Sequence, residues 1–279
     1  ISASSSSRRY RPAQAVALRG CNSQGGSGMH LVIVGGVAGG SSCAGRYRRL
    51  DEEADITIIE RGRHVSFASC GLPYFVGDVI HSDKNLLVTT PEVFLQQYRI
   101  KVHLQSEATE IDRQNKTCSF KNLETGQVSV LSYDKLVLAT GGVPIRPNLP
   151  GMHLPGVFTL KTIPDALKLR EFAEKHGARR AVIVGAGFIG MEVAENLKGL
   201  GLDVSIVELS AQVLPPVDAE MAQIVYQHVQ ERGQVPVHLQ QGLQSIEEAA
   251  IDPNNPKNGS SGDCRLLLHT KSCLPTVDD

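Results

Sequence analysis

The stretch Ala181-Val182-Ile183-Val184-Gly185-Ala186-Gly187-Phe188-Ile189-Gly190 constrains this 279-residue chain more than any other. A short apolar strand runs into a complete G-x-G-x-x-G, and a helical stretch follows over residues 191–200. A second apolar strand, residues 203–207, then ends in Glu208, 23 residues after Gly185. Strand, glycine turn, helix, strand, acid is the order a dinucleotide site requires. The first glycine permits the tight turn, the second lets the main chain approach a pyrophosphate, and the third lets helix and strand pack closely. The helix N-terminus offers unpaired N–H groups to the phosphates. Gly185, Gly187, Phe188, Ile189 and Gly190 are therefore candidate cofactor contacts. A carboxylate at Glu208 suits ribose hydroxyls and repels a 2′-phosphate, so the pattern favours NADH, with NADPH the alternative.

The first half echoes this pattern. Residues 30–34 are apolar and meet Gly35-Gly36-Val37-Ala38-Gly39-Gly40; a strand over 55–59 ends in Glu60, 25 residues after Gly35, with Arg61 following. Val37 takes the place of the middle glycine, so this copy rests on its strands and its acid as much as on its turn. Val32-Ile33-Val34-Gly35 repeats as Val182-Ile183-Val184-Gly185, and Ile56-Thr57-Ile58-Ile59-Glu60 as Val204-Ser205-Ile206-Val207-Glu208. Another strand, residues 133–138, ends in Ala139-Thr140-Gly141-Gly142; these small residues admit a nucleotide or form an ordinary turn. The candidate contacts of the first half are Gly35, Val37, Ala38, Gly39, Gly40, Glu60, Arg61, Ala139, Thr140 and Gly141.

Between the two copies stands Ser66-Phe67-Ala68-Ser69-Cys70-Gly71-Leu72-Pro73-Tyr74. Pro73 suits the first turn of a helix, here predicted over 74–80. A thiol at a helix N-terminus meets unpaired N–H groups and the positive end of the dipole, which favours the reactive thiolate. Cys70 is then a redox centre; the competing reading is a buried structural cysteine. Two dinucleotide signatures flanking one cysteine favour electron exchange through a thiol.

Hydrophobic residues make up 41% of the chain and charged ones 20%, and the formal net charge is −1. That balance gives no electrostatic footprint for nucleic acid or an acidic membrane, and no apolar run is long enough to span a bilayer. Cys21, Cys43, Cys70, Cys118, Cys264 and Cys273 form no C-x-x-C pair and no zinc spacing, so no metal site is expected and the thiols read as free. Residues 1–28 carry Arg8, Arg9, Arg11 and Arg19, a serine run and no acid, the composition of a disordered tail or of a plastid or mitochondrial transit peptide; without one, the location is cytoplasmic. Helices are expected over 91–98, 164–176 and 219–232, the last led by Asp218 as a cap, and strands over 100–104, 109–111, 117–122, 127–131, 237–239 and 265–269. Residues 252–262, rich in Asn, Pro, Gly and Ser, read as a disordered surface loop.

From residue 29 to about 239 the chain resembles the pyridine nucleotide-disulfide oxidoreductases that bind FAD and NAD(P)H, most specifically at 35–40, 66–74, 139–142 and 185–190. Within that family it is most similar to the single-cysteine branch, which holds coenzyme A-disulfide reductases, coenzyme A persulfide reductases and related NADH oxidases. Members with two cysteines carry C-x-x-x-x-C, whereas Phe75 stands five residues after Cys70; the disulfide partner then comes from a small thiol, or the cysteine cycles as a sulfenic acid. Peroxidase-like members have a histidine where this chain has Ala38, which points to the coenzyme A branch.

The resemblance implies an α/β fold of two Rossmann-like domains: an FAD-binding domain over 29–150 and an NAD(P)H-binding domain over 151–279. It also implies a closing FAD segment and a C-terminal dimerisation domain absent from this sequence, so that the full-length enzyme is a homodimer and this chain alone either turns over or is a nucleotide-binding remnant. It places Glu192 near the flavin and nicotinamide rings as a catalytic residue, the competing reading being a helix-surface charge; it puts Ser69 among the cofactor contacts too, at a position where relatives often carry Asn. It puts Arg46, Arg49, Ser66 and Ser69 against a coenzyme A-like thiol or disulfide substrate, whereas the two arginines alone also read as a solvated helix face.

Overall fold

The computed structural model describes residues 16–17, 28–249 and 266–272. A two-residue strand β1 (Val16–Ala17) precedes β2 (His30–Val34), in which four of five residues are buried. A strand buried on both faces belongs in the middle of a parallel sheet. The chain turns at the glycines into α1 (Gly39–Leu50) and returns as β3 (Asp55–Ile59). The segment carrying Cys70 follows, with α2 (Leu72–Val76), and then α3 (Pro91–Tyr98), β4 (Ile100–His103), β5 (Ser106–Asp112), β6 (Thr117–Asn122), β7 (Val128–Ser132) and β8 (Lys135–Leu138). After a crossing without regular structure come α4 (Ile163–Lys175), β9 (Arg180–Val184), α5 (Phe188–Gly199), β10 (Asp203–Val207), α6 (Ala219–Glu231), β11 (Val237–His238), β12 (Gln241–Glu248) and β13 (Leu266–Ser272).

Two compact units result. Among the described residues, the first comprises those up to Phe67 and Leu87–Gly142; the second comprises Ala68–Leu86 and those from Val143 onward. The Cys70 segment thus packs with the later residues, an assignment the sequence did not suggest.

In the first unit β4-β3-β2-β8 form a parallel sheet. One face packs Leu31, Ile33, Ile56 and Ile58 against Ala44 of α1 and Phe94 of α3. The other packs Val32, Val34 and Ile59 against Cys118, Phe120 and Leu131 of a meander in which β5, β6 and β7 pair antiparallel and β1 adds to β7 in parallel. The buried Arg48 ties the ends of α1 and α3 together, donating to the carbonyls of Tyr98, Arg99, Asp51 and Glu52. Hydrogen bonds from a charged donor are worth roughly 1.5–3 kcal/mol each, enough to justify burying a guanidinium whose partners are all neutral.

In the second unit β11-β10-β9 form a three-stranded parallel sheet, and β12 pairs antiparallel with β13. α4 begins with a full capping box between Thr162 and Asp165. α6 begins at Asp218 as expected, but that side chain makes no cap bond. Two expectations change. β12 has no counterpart in the sequence reading, because its Gln-, Ser- and Glu-bearing stretch becomes a strand only through pairing with β13. The helix expected over 74–80 is instead the five-residue α2, ended by Gly77 and by Asp78 at φ +58°. The loop at 252–262 and all of residues 1–28 except 16–17 and 28 lie outside the described residues, as do Cys21, Cys264 and Cys273.

Candidate functional site

Both glycine turns are built alike, bond for bond. Gly35 adopts φ +96° and Gly185 φ +104°, conformations that favour glycine. Gly35 N–H donates to Ile59 O at 2.8 Å and Gly185 N–H to Val207 O at 2.8 Å. A Cβ at Gly40 would collide with Gly35 O, and one at Gly190 with Gly185 O, so in each copy the last glycine lets the helix close onto the turn. Around Gly187 a Cβ would meet nothing within 4 Å, and around Gly39 only the Ala139 methyl, so the main chain there is open to an approaching group.

The acids repeat too. Glu60 accepts from Gly36 N–H at 2.6 Å with one oxygen and from Gly62 N–H at 2.6 Å with the other. Glu208 accepts from Ala186 N–H at 2.6 Å and from Ser210 N–H at 2.7 Å. Each carboxylate pins the turn to the end of the next strand. Glu208 is buried. Burial pushes its carboxyl up, but the N–H groups of Ala186, Ser210 and Leu209 and the Ser210 hydroxyl outweigh that and hold it below the ordinary glutamate range.

The repeat extends to a third strand: β4 and β11 were both expected as strands, but not as counterparts of one another. Glu60 N–H donates to His103 O and Glu208 N–H to His238 O; Gln105 and Gln240 then turn the chain at φ +47° and +56°. The signal was present: Val102-His103-Leu104-Gln105 recurs as Val237-His238-Leu239-Gln240. His103 packs on the Phe120 ring with centroids 5.0 Å apart, and burial, with Lys101 nearby, pushes its imidazole down.

Helix starts differ according to use. α3 and α4 are capped by Thr90 and Thr162, whereas α1 and α5 follow the glycine turns without a side-chain cap and without an acid in the first turn. Their leading N–H groups and dipoles are left to an anionic group. Val37 is half-buried, Ala38 is exposed at the N-cap of α1, and Phe188 and Ile189 are exposed at the start of α5. Ala139 backs the first turn, its N–H donating to Val34 O at 2.7 Å, with Thr140 and Gly141 exposed beyond it. Arg61 is exposed and pairs with Glu107 at 3.7 Å. Arg46 and Arg49 lie exposed on α1, three residues apart and hence on one face.

The cysteine segment departs from expectation in two ways. Cys70 is a free, exposed thiol inside a 3₁₀ turn, Ser69–Gly71; Gly71, not Cys70, takes the cap position of α2. A five-residue helix carries little dipole, so the N-terminal field predicted from Pro73 is weak here. Exposure also removes the reading of Cys70 as a buried structural cysteine. Ser69 is exposed beside it, but Ser66 is buried at φ +48°, its N–H donating to Gly36 O and its carbonyl accepting from Val88 and Thr89. Ser66, expected as a substrate contact, is therefore mostly enclosed, and its main chain ties Gly36 to the Val88–Thr89 segment within the first unit. Glu192 is half-buried on α5, one turn before the buried Asn196, whose amide donates to Glu192 O at 2.8 Å. Cys118 is buried, and burial pushes its thiol up. Among the described residues no group of His, Cys, Asp and Glu could hold a metal ion, and no helix is long and apolar enough to cross a membrane.

Comparison with known proteins places this arrangement. The family model for pyridine nucleotide-disulphide oxidoreductases matches residues 29–269. A coenzyme A disulfide reductase of Staphylococcus haemolyticus is 37% identical over 221 residues, covering 79% of this chain and 49% of that protein. Among solved structures, the NAD-dependent persulfide reductase of A. fulgidus is 40% identical with a TM-score of 0.75, covering 79% of this chain and 41% of the other. The reduced CoADR-RHD of Bacillus anthracis is 35% identical with a TM-score of 0.75, over 88% of this chain and 43% of the other. The chain thus spans about half the length of the relatives it matches.

Proposed function

Because the chain belongs to the FAD- and NAD(P)H-dependent pyridine nucleotide-disulphide oxidoreductase family, we propose that it is the nucleotide-binding and cysteine-bearing part of an enzyme that reduces a low-molecular-weight disulfide or persulfide, such as coenzyme A disulfide, through Cys70. The observation that carries this reading is an exposed, free Cys70 with the buried Phe75 where a second redox cysteine would stand. With no internal partner at that position, the other sulfur of the disulfide belongs to the substrate. The relatives named for coenzyme A disulfide and persulfide chemistry support that substrate class.

Both dinucleotides fit the residues present. In this reading the first turn, Gly35–Gly40, with the α1 N-terminus, Ala139, Thr140 and Gly141, takes FAD; the second, Gly185–Gly190 with α5, takes NADH. Glu60 and Glu208 each offer a carboxylate to a ribose, and Glu192 on α5 serves the nicotinamide side. FAD held by these residues would supply the relay of two electrons from a nicotinamide to a disulfide. The Cys70 thiolate attacks one sulfur of the small disulfide; the substrate S–S bond breaks, one thiolate leaves and takes a proton, and Cys70 remains in a mixed disulfide with the other half. Two electrons from the pyridine nucleotide and a second proton release the second thiol and restore the thiolate. Arg46 and Arg49, exposed on one face of α1, supply charge for the phosphates of a coenzyme A-like substrate.

The test is Cys70→Ser in flavin-loaded protein. Disulfide-dependent NADH consumption is expected to fall by at least about 100-fold with flavin content unchanged. Equal consumption in the variant would remove Cys70 from the reaction and leave simple oxidase chemistry, and failure of wild-type protein to bind FAD or consume NADH would identify a nucleotide-binding remnant.

A further inference from the structure

The cysteine turn is held from outside the glycine loops, by contacts on α4 and α5. Isolated helices shorter than about 12–15 residues are marginal in water, so the five-residue α2 exists only because it is docked. Leu72, Pro73, Phe75 and Val76 are all buried, and α2 packs on α4 and α5 within the second unit. On the α5 side Gly77 lies so close to Asn196 that a Cβ would collide with its amide. On the α4 side, among the described residues, Arg170 makes the polar contacts to α2 and its exit. Its Nη1 donates to Phe75 O at 3.0 Å, its Nη2 to Asp78 Oδ1 at 3.1 Å, and its Cζ lies 4.7 Å from the centre of the Phe75 ring. Glu174, one turn on, stands 3.9 Å from the same Nη2 and steadies the guanidinium.

We propose that Arg170 is a positioning residue for Cys70: by clamping the carbonyl, ring and exit of α2 it fixes the helix whose other end is the Ser69–Gly71 turn. The inference rests on Cys70 being the reacting thiol. Three features favour this role over a plain surface ion pair. The arginine side chain is only 23% exposed. It spends one nitrogen on the main-chain carbonyl of Phe75 at the C-terminal end of α2, which also accepts from Asp78 N–H at 3.2 Å, so the side chain joins the bonds that close the helix. It also stacks on Phe75, so the residue in the place of a second cysteine serves as the handle by which the helix is held. Only Gly71 separates Cys70 from the first residue of α2, so movement of this short helix passes to the turn that carries the thiol. Lysine could keep the charge opposite Asp78 but neither the forked geometry nor the stacking.

The experiment compares wild type, Arg170→Met, Arg170→Lys and Asp78→Asn, each loaded with FAD, by amide exchange resolved to the peptide covering residues 68–80 and by steady-state kinetics with NADH and a small disulfide. In Arg170→Met the α2 amides are expected to exchange about tenfold or more faster while peptides of β2 and β3 are unchanged. The kcat for disulfide reduction is expected to fall about tenfold with KM for NADH and flavin content retained, and Arg170→Lys is expected to restore part of both. Unchanged α2 exchange in Arg170→Met, or unchanged kcat despite faster exchange, overturns the proposal. If Arg170→Met fails to fold, Arg170→Lys and Asp78→Asn decide by the same two readouts. A wild type without disulfide turnover would sink the functional reading, yet the exchange measurement would still show whether Arg170 holds the cysteine turn.

Discussion

The two glycine-turn halves share their local bonding and differ in their surroundings. β2 runs between β3 and β8, and Gly35 is backed by Ala139: a Cβ there would strike the Ala139 carbonyl. β9 pairs with β10, and among the described residues with no strand on its other side; Val182 is 43% exposed and Val184 54%, and a Cβ at Gly185 would meet nothing within 4 Å. Yet Gly36 and Ala186, Glu60 and Glu208, His103 and His238 make the same hydrogen bonds to within about a tenth of an ångström. The turn-and-acid motif therefore does not need the fourth strand. Its geometry comes from chain neighbours and from one carboxylate that reaches back to the turn, whereas burial of the central strand depends on what pairs beside it.

Substitution at the last glycine of each turn should break the comparison most strongly. Gly40→Ala and Gly190→Ala both drive a methyl into the carbonyl oxygen of the first glycine, so each turn must open. Gly40→Ala is expected to lose most of its bound FAD on desalting, read by visible absorbance. Gly190→Ala is expected to keep FAD and raise KM for NADH by about tenfold or more. If either substitution harms both cofactors equally, the halves do not act as separate sites.

A smaller effect separates their surroundings. Gly35→Ala and Gly185→Ala both force an alanine into a left-handed region, at a cost of roughly 1–3 kcal/mol. Only Gly35→Ala adds a collision with the Ala139 carbonyl, so it should lower thermal stability further, by roughly another 1–3 kcal/mol. Equal losses would mean that β8 yields to the first turn and that the difference in backing is of no energetic consequence.

The smallest effect concerns Glu208. Its folded carboxyl lies below the ordinary 4.5, so its ionised form stabilises the fold; that contribution is complete above pH 4.5 and disappears as pH falls through the lower folded value. Glu208→Gln is expected to cost about 1–2 kcal/mol at pH 7, a gap that closes in chemical denaturation as the pH is taken below 4.5. The same variant should narrow the preference for NADH over NADPH, read from the ratio of kcat/KM values. A gap that persists in acid would mean that shape rather than charge holds the second turn.

The sequence by itself determined both βαβ units, their acids and the lone cysteine, because these depend on residues close along the chain: apolar runs that favour strands, glycines at left-handed turns, and Phe75 in place of a thiol. Even the third-strand repeat was readable in the two Val-His-Leu-Gln stretches. Only the tertiary structure decided that Ser66 is buried, that the acids bind the turns, that β12 is a strand and that the Cys70 turn belongs with the second unit. Arg170 meets Phe75 across 95 residues, and β12 gains its partner only across an intervening loop. Such contacts join residues distant along the chain, and α2 and β12 take their form only through them, so no local pattern in the chain encodes either.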